Sequence, residues 1–143
     1  MASLGFSYLP RLVIDESTNN KLEVFTPYVP IMVSFNRGNP TRLIDALVDS
    51  GSDRNLFPLQ LGQMLGMNFK KIKPKIIFGI GSIRLKAYTC KINIWVNNKE
   101  YGTEADFCLE QQTLLLGRQG FFNLFKQVKF DEKGRFLYLE TYK

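Results

Sequence analysis

An acidic side chain closes an apolar run at Ala46-Leu47-Val48-Asp49, and Ser50, Gly51 and Ser52 follow it directly. Taking a lone carboxylate out of water is costly unless it is hydrogen-bonded, protonated or put to use. Ser50 and Gly51 are turn residues, so backbone amides can fold back toward the Asp49 carboxyl. A carboxyl held in that way can take or give a proton as a general base or acid. Asp-Ser-Gly is also a common turn in which the acid merely caps its own loop, so the motif gains meaning only from its company. The chain has no histidine, which removes the usual base of a Ser or Cys nucleophile and the usual metal ligand. Its chemistry is therefore expected to rest on carboxylates, with no metal and no cofactor.

Two further motifs accompany Asp49. Phe78-Gly79-Ile80-Gly81-Ser82 places two glycines around one apolar residue between strand-like segments. Glycines make a hairpin tip mobile and let its backbone approach a ligand closely, so this segment could serve as a lid that presents amides to a bound chain. Leu114-Leu115-Leu116-Gly117-Arg118 is an apolar triplet ended by a glycine that permits close backbone packing. Taken singly, the first reads equally well as an ordinary hairpin and the second as a core strand meeting a turn.

The elements that must position these residues are mostly short strands separated by turn signals, the pattern of an all-β domain. Val29, Ile31, Val33 and Phe35 alternate with other residues, residues 36–40 supply a turn, and residues 43–49 form the next strand, so a hairpin delivers Asp49 to its loop. Residues 58–66, with Pro58 near the start and Gly66 at the end, predict a short helix. Strands are expected at 76–78, 83–88 and 90–96, the last with Cys90, Ile92, Ile94 and Val96 on one face, and Asn97-Asn98 turns the chain into a strand over 100–109. The Leu114 to Leu116 triplet reads as a strand buried on both faces. Phe121, Phe122 and Phe125 fall at helical spacing within 119–125. Residues 128–130 and 136–140 read as a closing hairpin, and 11–15 as an outer strand.

At 143 residues, 45% hydrophobic and 22% charged, the chain fits one soluble globular domain able to bury a core. No apolar stretch approaches the ~20 residues that span a bilayer, and no export signal is seen, so no membrane contact and a cytoplasmic location are expected. Cys90 and Cys108 are expected to be reduced and partly buried. The formal charge of +6 is scattered among residues with apolar or acidic neighbours, which makes nucleic acid an improbable partner. The Lys70 to Lys75 run with Phe69 and Tyr88 is the best support for that reading, and as a loop it is more often simply solvated.

Together, the Asp49 loop, the glycine hairpin and the apolar-Gly-Arg run, in that order, resemble the retropepsin-like aspartic proteases, and the stretch from Leu114 to Phe125 with the Phe130-Asp131 hairpin after it resembles small bacterial members of that family. The resemblance covers about residues 29–125. It implies a single acid-protease barrel over 1–143, with an N-terminal outer strand or arm at 1–25, a flap hairpin at 76–88 and a C-terminal hairpin at 126–143. It implies an aspartic endopeptidase acting on polypeptide substrate as a two-fold homodimer. By the same resemblance Asp49 is the catalytic aspartate, Ser50 the hydroxyl that interlocks across the dimer, and Gly51 a residue whose backbone meets substrate. Asp53 would hold substrate backbone and form an ion pair with Arg118, while Leu56, Gly79, Ile80, Gly81 and Leu115 would line the substrate cleft. Asn55 stands where the family usually has Thr. Gln119 and Gly120 also depart from the pattern, and the chain runs on beyond the expected helix. The rival reading is a retropepsin-like module that binds peptide or dimerises without turnover.

Overall fold

Alternating apolar positions decide most strands of the computed structural model, which describes residues 3–142. In chain order they are β1 (Ser3–Ser7), β2 (Leu9–Asp15), β3 (Asn20–Thr26), β4 (Tyr28–Ser34), β5 (Ile44–Val48) and β6 (Leu56–Pro58). The helix α1 (Leu59–Met64) comes next. There follow β7 (Lys75–Phe78), β8 (Arg84–Val96), β9 (Lys99–Cys108), β10 (Leu115–Leu116), β11 (Phe125–Asp131) and β12 (Phe136–Thr141).

The seven-stranded sheet runs β4-β5-β10-β6-β9-β8-β7, and a further pairing of β4 with β8 closes all but β7 into a ring. Closure removes open edges and gives every inward side chain a partner across the barrel. Val29, Ile31 and Val33 from β4 meet Ile92, Ile94 and Val96 from β8, all almost wholly buried. Phe57 and Phe107 are fully buried and pack edge to face at 5.8 Å between centroids. Burying each such ring contributes about 2 to 3 kcal/mol. Asn97 and Asn98 turn β8 into β9 with positive φ values of 48° and 67°, the geometry of a two-residue hairpin and one that Asn tolerates.

Below the ring, β1, β12 and β11 form a three-stranded sheet, with Ser3 paired to Glu140. Phe121, Phe125, Leu137 and Leu139 fill the space between this sheet and the ring. Strands β2 and β3 pair only with each other, as a separate two-stranded ribbon. Cys90 and Cys108 are free, buried thiols. Among the described residues no helix is long and apolar enough to cross a membrane.

Three local expectations need correction. The segments 83–88 and 90–96 are one continuous strand, β8 from Arg84, because the ladder with β9 runs unbroken through Thr89, which pairs with Asp106. The helix expected over 119–125 is a single 3-10 turn at Phe122–Leu124. Gly120 sits at φ 114°, its N–H donates to Asn123 Oδ1, and Phe125 already belongs to β11. The aromatic spacing thus records a turn followed by a strand. Of the Leu114 to Leu116 triplet, only Leu115–Leu116 forms the strand, and Leu115 is half-exposed.

Candidate active site

Asp49 stands one residue past β5, between two neighbouring strands that hold its backbone. Its N–H donates to Leu116 O at 3.0 Å, and the N–H of Val48 before it donates to Pro27 O at 3.0 Å. The loop then tightens: Ser52 N–H reaches Asp49 O at 3.1 Å, and Gly51 N–H reaches the carboxyl Oδ1 at 2.9 Å. A backbone amide aimed at a carboxylate oxygen fixes the orientation of the side chain. Ser50 and Gly51 are exposed, and Asp49 is half-buried with one face open.

The loop is braced from behind by a residue that sequence reasoning treated only as a departure. Asn55 is completely buried. Its Oδ1 accepts from Gly117 N–H at 3.0 Å, its Nδ2 donates to Glu104 O at 3.0 Å, and its carbonyl accepts from Asp106 N–H at 2.9 Å. One amide side chain thereby joins the Asp49 loop, the segment after β10 and β9. Gly117 lies against Arg54 so closely that a Cβ would stand 2.3 Å from the Arg54 carbonyl oxygen. That close approach is why glycine ends the apolar triplet.

The Asp49 loop floors a cleft of about 980 Å³. Asp53, Leu56 and Leu115 line it from below, and Phe78, Gly79 and Ile80 line it from the β7–β8 hairpin. The hairpin tip is closed by Gly79 N–H to Ile83 O at 2.8 Å, with Gly81 at φ 76° and Ile80 97% exposed. Gly81 sits at the tip and outside the cleft lining.

The ion pair expected between Asp53 and Arg118 is absent: among the described residues, neither side chain takes part in an ion pair. The two segments are joined through the backbone instead, Arg118 N–H to Ser52 O at 2.9 Å and Gln119 N–H to Asp53 O at 2.8 Å. The guanidinium at work here is Arg54. Its Nε donates to Asp106 Oδ2 at 3.0 Å and its Nη2 to Oδ1 at 3.3 Å, with Glu104 at 3.6 Å. Thr89 Oγ1 at 2.7 Å and Lys75 Nζ at 3.0 Å complete the shell around Oδ1.

Burial alone would push the Asp106 carboxyl up, but the hydrogen bonds from Arg54, Thr89 and Lys75, with the Arg54 charge, outweigh it and hold the carboxyl below its ordinary range. Sequence reasoning missed this cluster. The signal that could have found it is the one used for Asp49, an acid inside an apolar run, here Ala105-Asp106-Phe107-Cys108.

With this geometry in view, the comparisons with known proteins concern the fold. No family model matches the sequence, and no significant match was found among curated proteins. A retropepsin-like aspartic protease from Rickettsia conorii superposes with a TM-score of 0.64 at 17% identity, over 97% of this chain and 99% of that one. EIAV protease, solved in complex with the inhibitor HBY-793, superposes with a TM-score of 0.52 at 16% identity, over 65% of this chain and 82% of that one. The fold is that of the retropepsins. In this retropepsin-like fold the ring of strands, the cleft and the hairpin above it form a single structural unit, and the Rickettsia match extends through the N-terminal ribbon and the terminal sheet.

Proposed function

We propose that the chain is half of an aspartic endopeptidase, hydrolysing peptide bonds with a water activated between the Asp49 carboxyls of two copies. The observation that carries the reading is the Asp49 turn itself, with its carboxyl oriented by Gly51 N–H on the floor of a cleft roofed by a glycine-tipped hairpin. The retropepsin-like fold supports it further.

One carboxyl cannot perform the reaction alone, because one group must take a proton from water while another gives one to the peptide carbonyl. A two-fold dimer supplies the second from an identical chain. Two carboxyls about 3 Å apart do not both ionise, so they share one proton and titrate as a pair. The ionised Asp49 takes a proton from the water, and the water oxygen attacks the scissile carbon. The protonated Asp49 donates to the carbonyl oxygen. A tetrahedral diol forms, and its collapse with proton transfer to the leaving nitrogen releases two peptides without an acyl-enzyme.

In this reading the β7–β8 hairpin is the flap. Its backbone at Gly79, Ile80 and Gly81 hydrogen-bonds an extended substrate, while Leu56, Ile80 and Leu115 contact apolar side chains. Ser50 interlocks with its counterpart, Gly51 meets substrate backbone, and Asp53 binds the substrate chain further along.

The test is the isosteric change Asp49→Asn. Purified Asp49→Asn protein is expected to keep its circular dichroism and its mass in solution while losing cleavage of a mixed peptide library at every pH from 4 to 7.5. Cleavage retained in a preparation free of other proteases would overturn the reading. Cleavage per chain by the unmodified protein should also fall on dilution, as the two carboxyls part.

A further inference from the structure

Among the described residues, the ribbon β2–β3 is the one strand pair with no third strand beside it, and an isolated two-stranded hairpin is marginally stable in water. Its apolar side chains are nonetheless exposed: Leu12 is 64%, Ile14 60% and Leu22 52% accessible. The register puts Leu12 opposite Glu23 and Ile14 opposite Lys21 on one face, and Val13 opposite Leu22 on the other. Neither face is covered.

The root of the ribbon is fixed at a particular place. Only Pro27 separates β3 from β4, and Pro27 O accepts from the N–H of Val48, the residue before Asp49. At its base Arg135 stacks on the Phe25 ring, with Cζ 3.8 Å from the centroid. The ribbon is therefore a held arm springing from the Asp49 end of the sheet. If two Asp49 carboxyls are to meet, the two-fold axis passes on the same side of the sheet as this root. Each strand of the arm has seven residues, a reach of about 23 Å, enough to cross that axis and lie along the other copy.

We propose that the β2–β3 arm grips a second copy of this chain and is the principal clasp of the dimer, a proposal that rests on the two-chain reading of the site. A second copy fits better than an unrelated partner because the Asp49 site is incomplete without it. The exposed face also carries one acid and one base, Glu23 and Lys21, beside its apolar pair, so it can meet its own two-fold mate with opposite charges facing. β1 and β12 already pair with each other within the chain, whereas the arm keeps Leu12, Ile14 and Leu22 exposed beside the Asp49 end of the sheet.

The test is the double variant Leu12→Lys with Ile14→Glu. Each new charge faces an opposite one across the ribbon, Glu23 or Lys21, so the arm itself is not penalised, and net charge is unchanged. Sedimentation equilibrium on the full chain should show the dimer dissociation constant rising about 100-fold or more, with circular dichroism unaltered. A folded variant with the unmodified chain's dissociation constant overturns the proposal, and so does an unmodified chain that stays monomeric at millimolar concentration. Dimers that depend on the arm yet cleave no peptide uphold the proposal and remove the endopeptidase reading. Arm-independent dimers that cleave peptide do the reverse. If the charged variant aggregates, Leu12→Ser with Ile14→Thr repeats the measurement without charge.

Discussion

Asp106 accepts from Arg54, Thr89 and Lys75 while its side chain is only 4% exposed, whereas Arg54 and Lys75 keep 31% and 40% of theirs in contact with solvent. The three partners come from the Asp49 loop, from β8 and from β7, so one carboxylate ties that loop to the hairpin above the cleft. Removing it strands the Thr89 hydroxyl and two cations, though the cations can turn outward. Asp106→Ala is therefore predicted to cost about 3 kcal/mol, the low end for breaking a buried pair, as read by denaturant unfolding at pH 7. Because the folded carboxyl is held below its ordinary range, its stabilisation is complete above an unfolded value near 3.9 and is lost as pH falls through the lower folded value. The gap between the native chain and Asp106→Ala should accordingly be constant at neutral pH and narrow below about pH 4. A gap that widens in acid would contradict this assignment. The Asp49 turn was legible because its loop is written in adjacent residues. Asp106 has the same local signature, but its partners arrive from distant segments that no reading of neighbours brings together.

Among the elements, β10 is the shortest strand and carries the most positional demand. It lies parallel to β5 and antiparallel to β6, and the glycine after it is pressed on the Arg54 backbone. Gly117→Ala would put a methyl group on an atom that cannot turn aside, so the loop must move. The expected loss is about 3 kcal/mol, visible as a lower melting temperature; on the endopeptidase reading proposed above, cleavage falls by more than the stability loss explains, because Asp49 N–H is bonded to Leu116 O. An unchanged melting temperature would show that the loop can shift freely. Elements with strict alternation, such as β4 and the Cys90 to Val96 half of β8, were readable, as were turns marked by Asn-Asn or Pro and Gly. The segment at 119–125 was not, since buried Phe121 and Phe125 satisfy a helical spacing equally well by belonging to a turn and to the strand after it. The partner of the outer strand at 11–15 also escaped notice, because residues 20–26 alternate without burying either face.

At the scale of the whole molecule, the order of the motifs along the chain was enough to suggest the fold, but not how the ring closes. The β4–β8 pairing and the parallel contacts of β10 with β5 and of β6 with β9 join segments far apart in sequence, and such registers leave no local trace. The same contrast sets an order in time. β8 and β9 zip from a two-residue turn with almost no loop to close, whereas β1 must wait for β12, from the other end of the chain. Loop-closure entropy makes the first pairing fast and the second late. Pulse-labelled hydrogen exchange during refolding is predicted to protect β8–β9 amides first and those of β1 and β12 last. While a ribosome is still making this chain, Phe121 and Phe125 have no Leu137 or Leu139 to cover them. The growing protein therefore passes through a brief interval in which a sticky aromatic surface is open to chaperones, and to other nascent copies of itself.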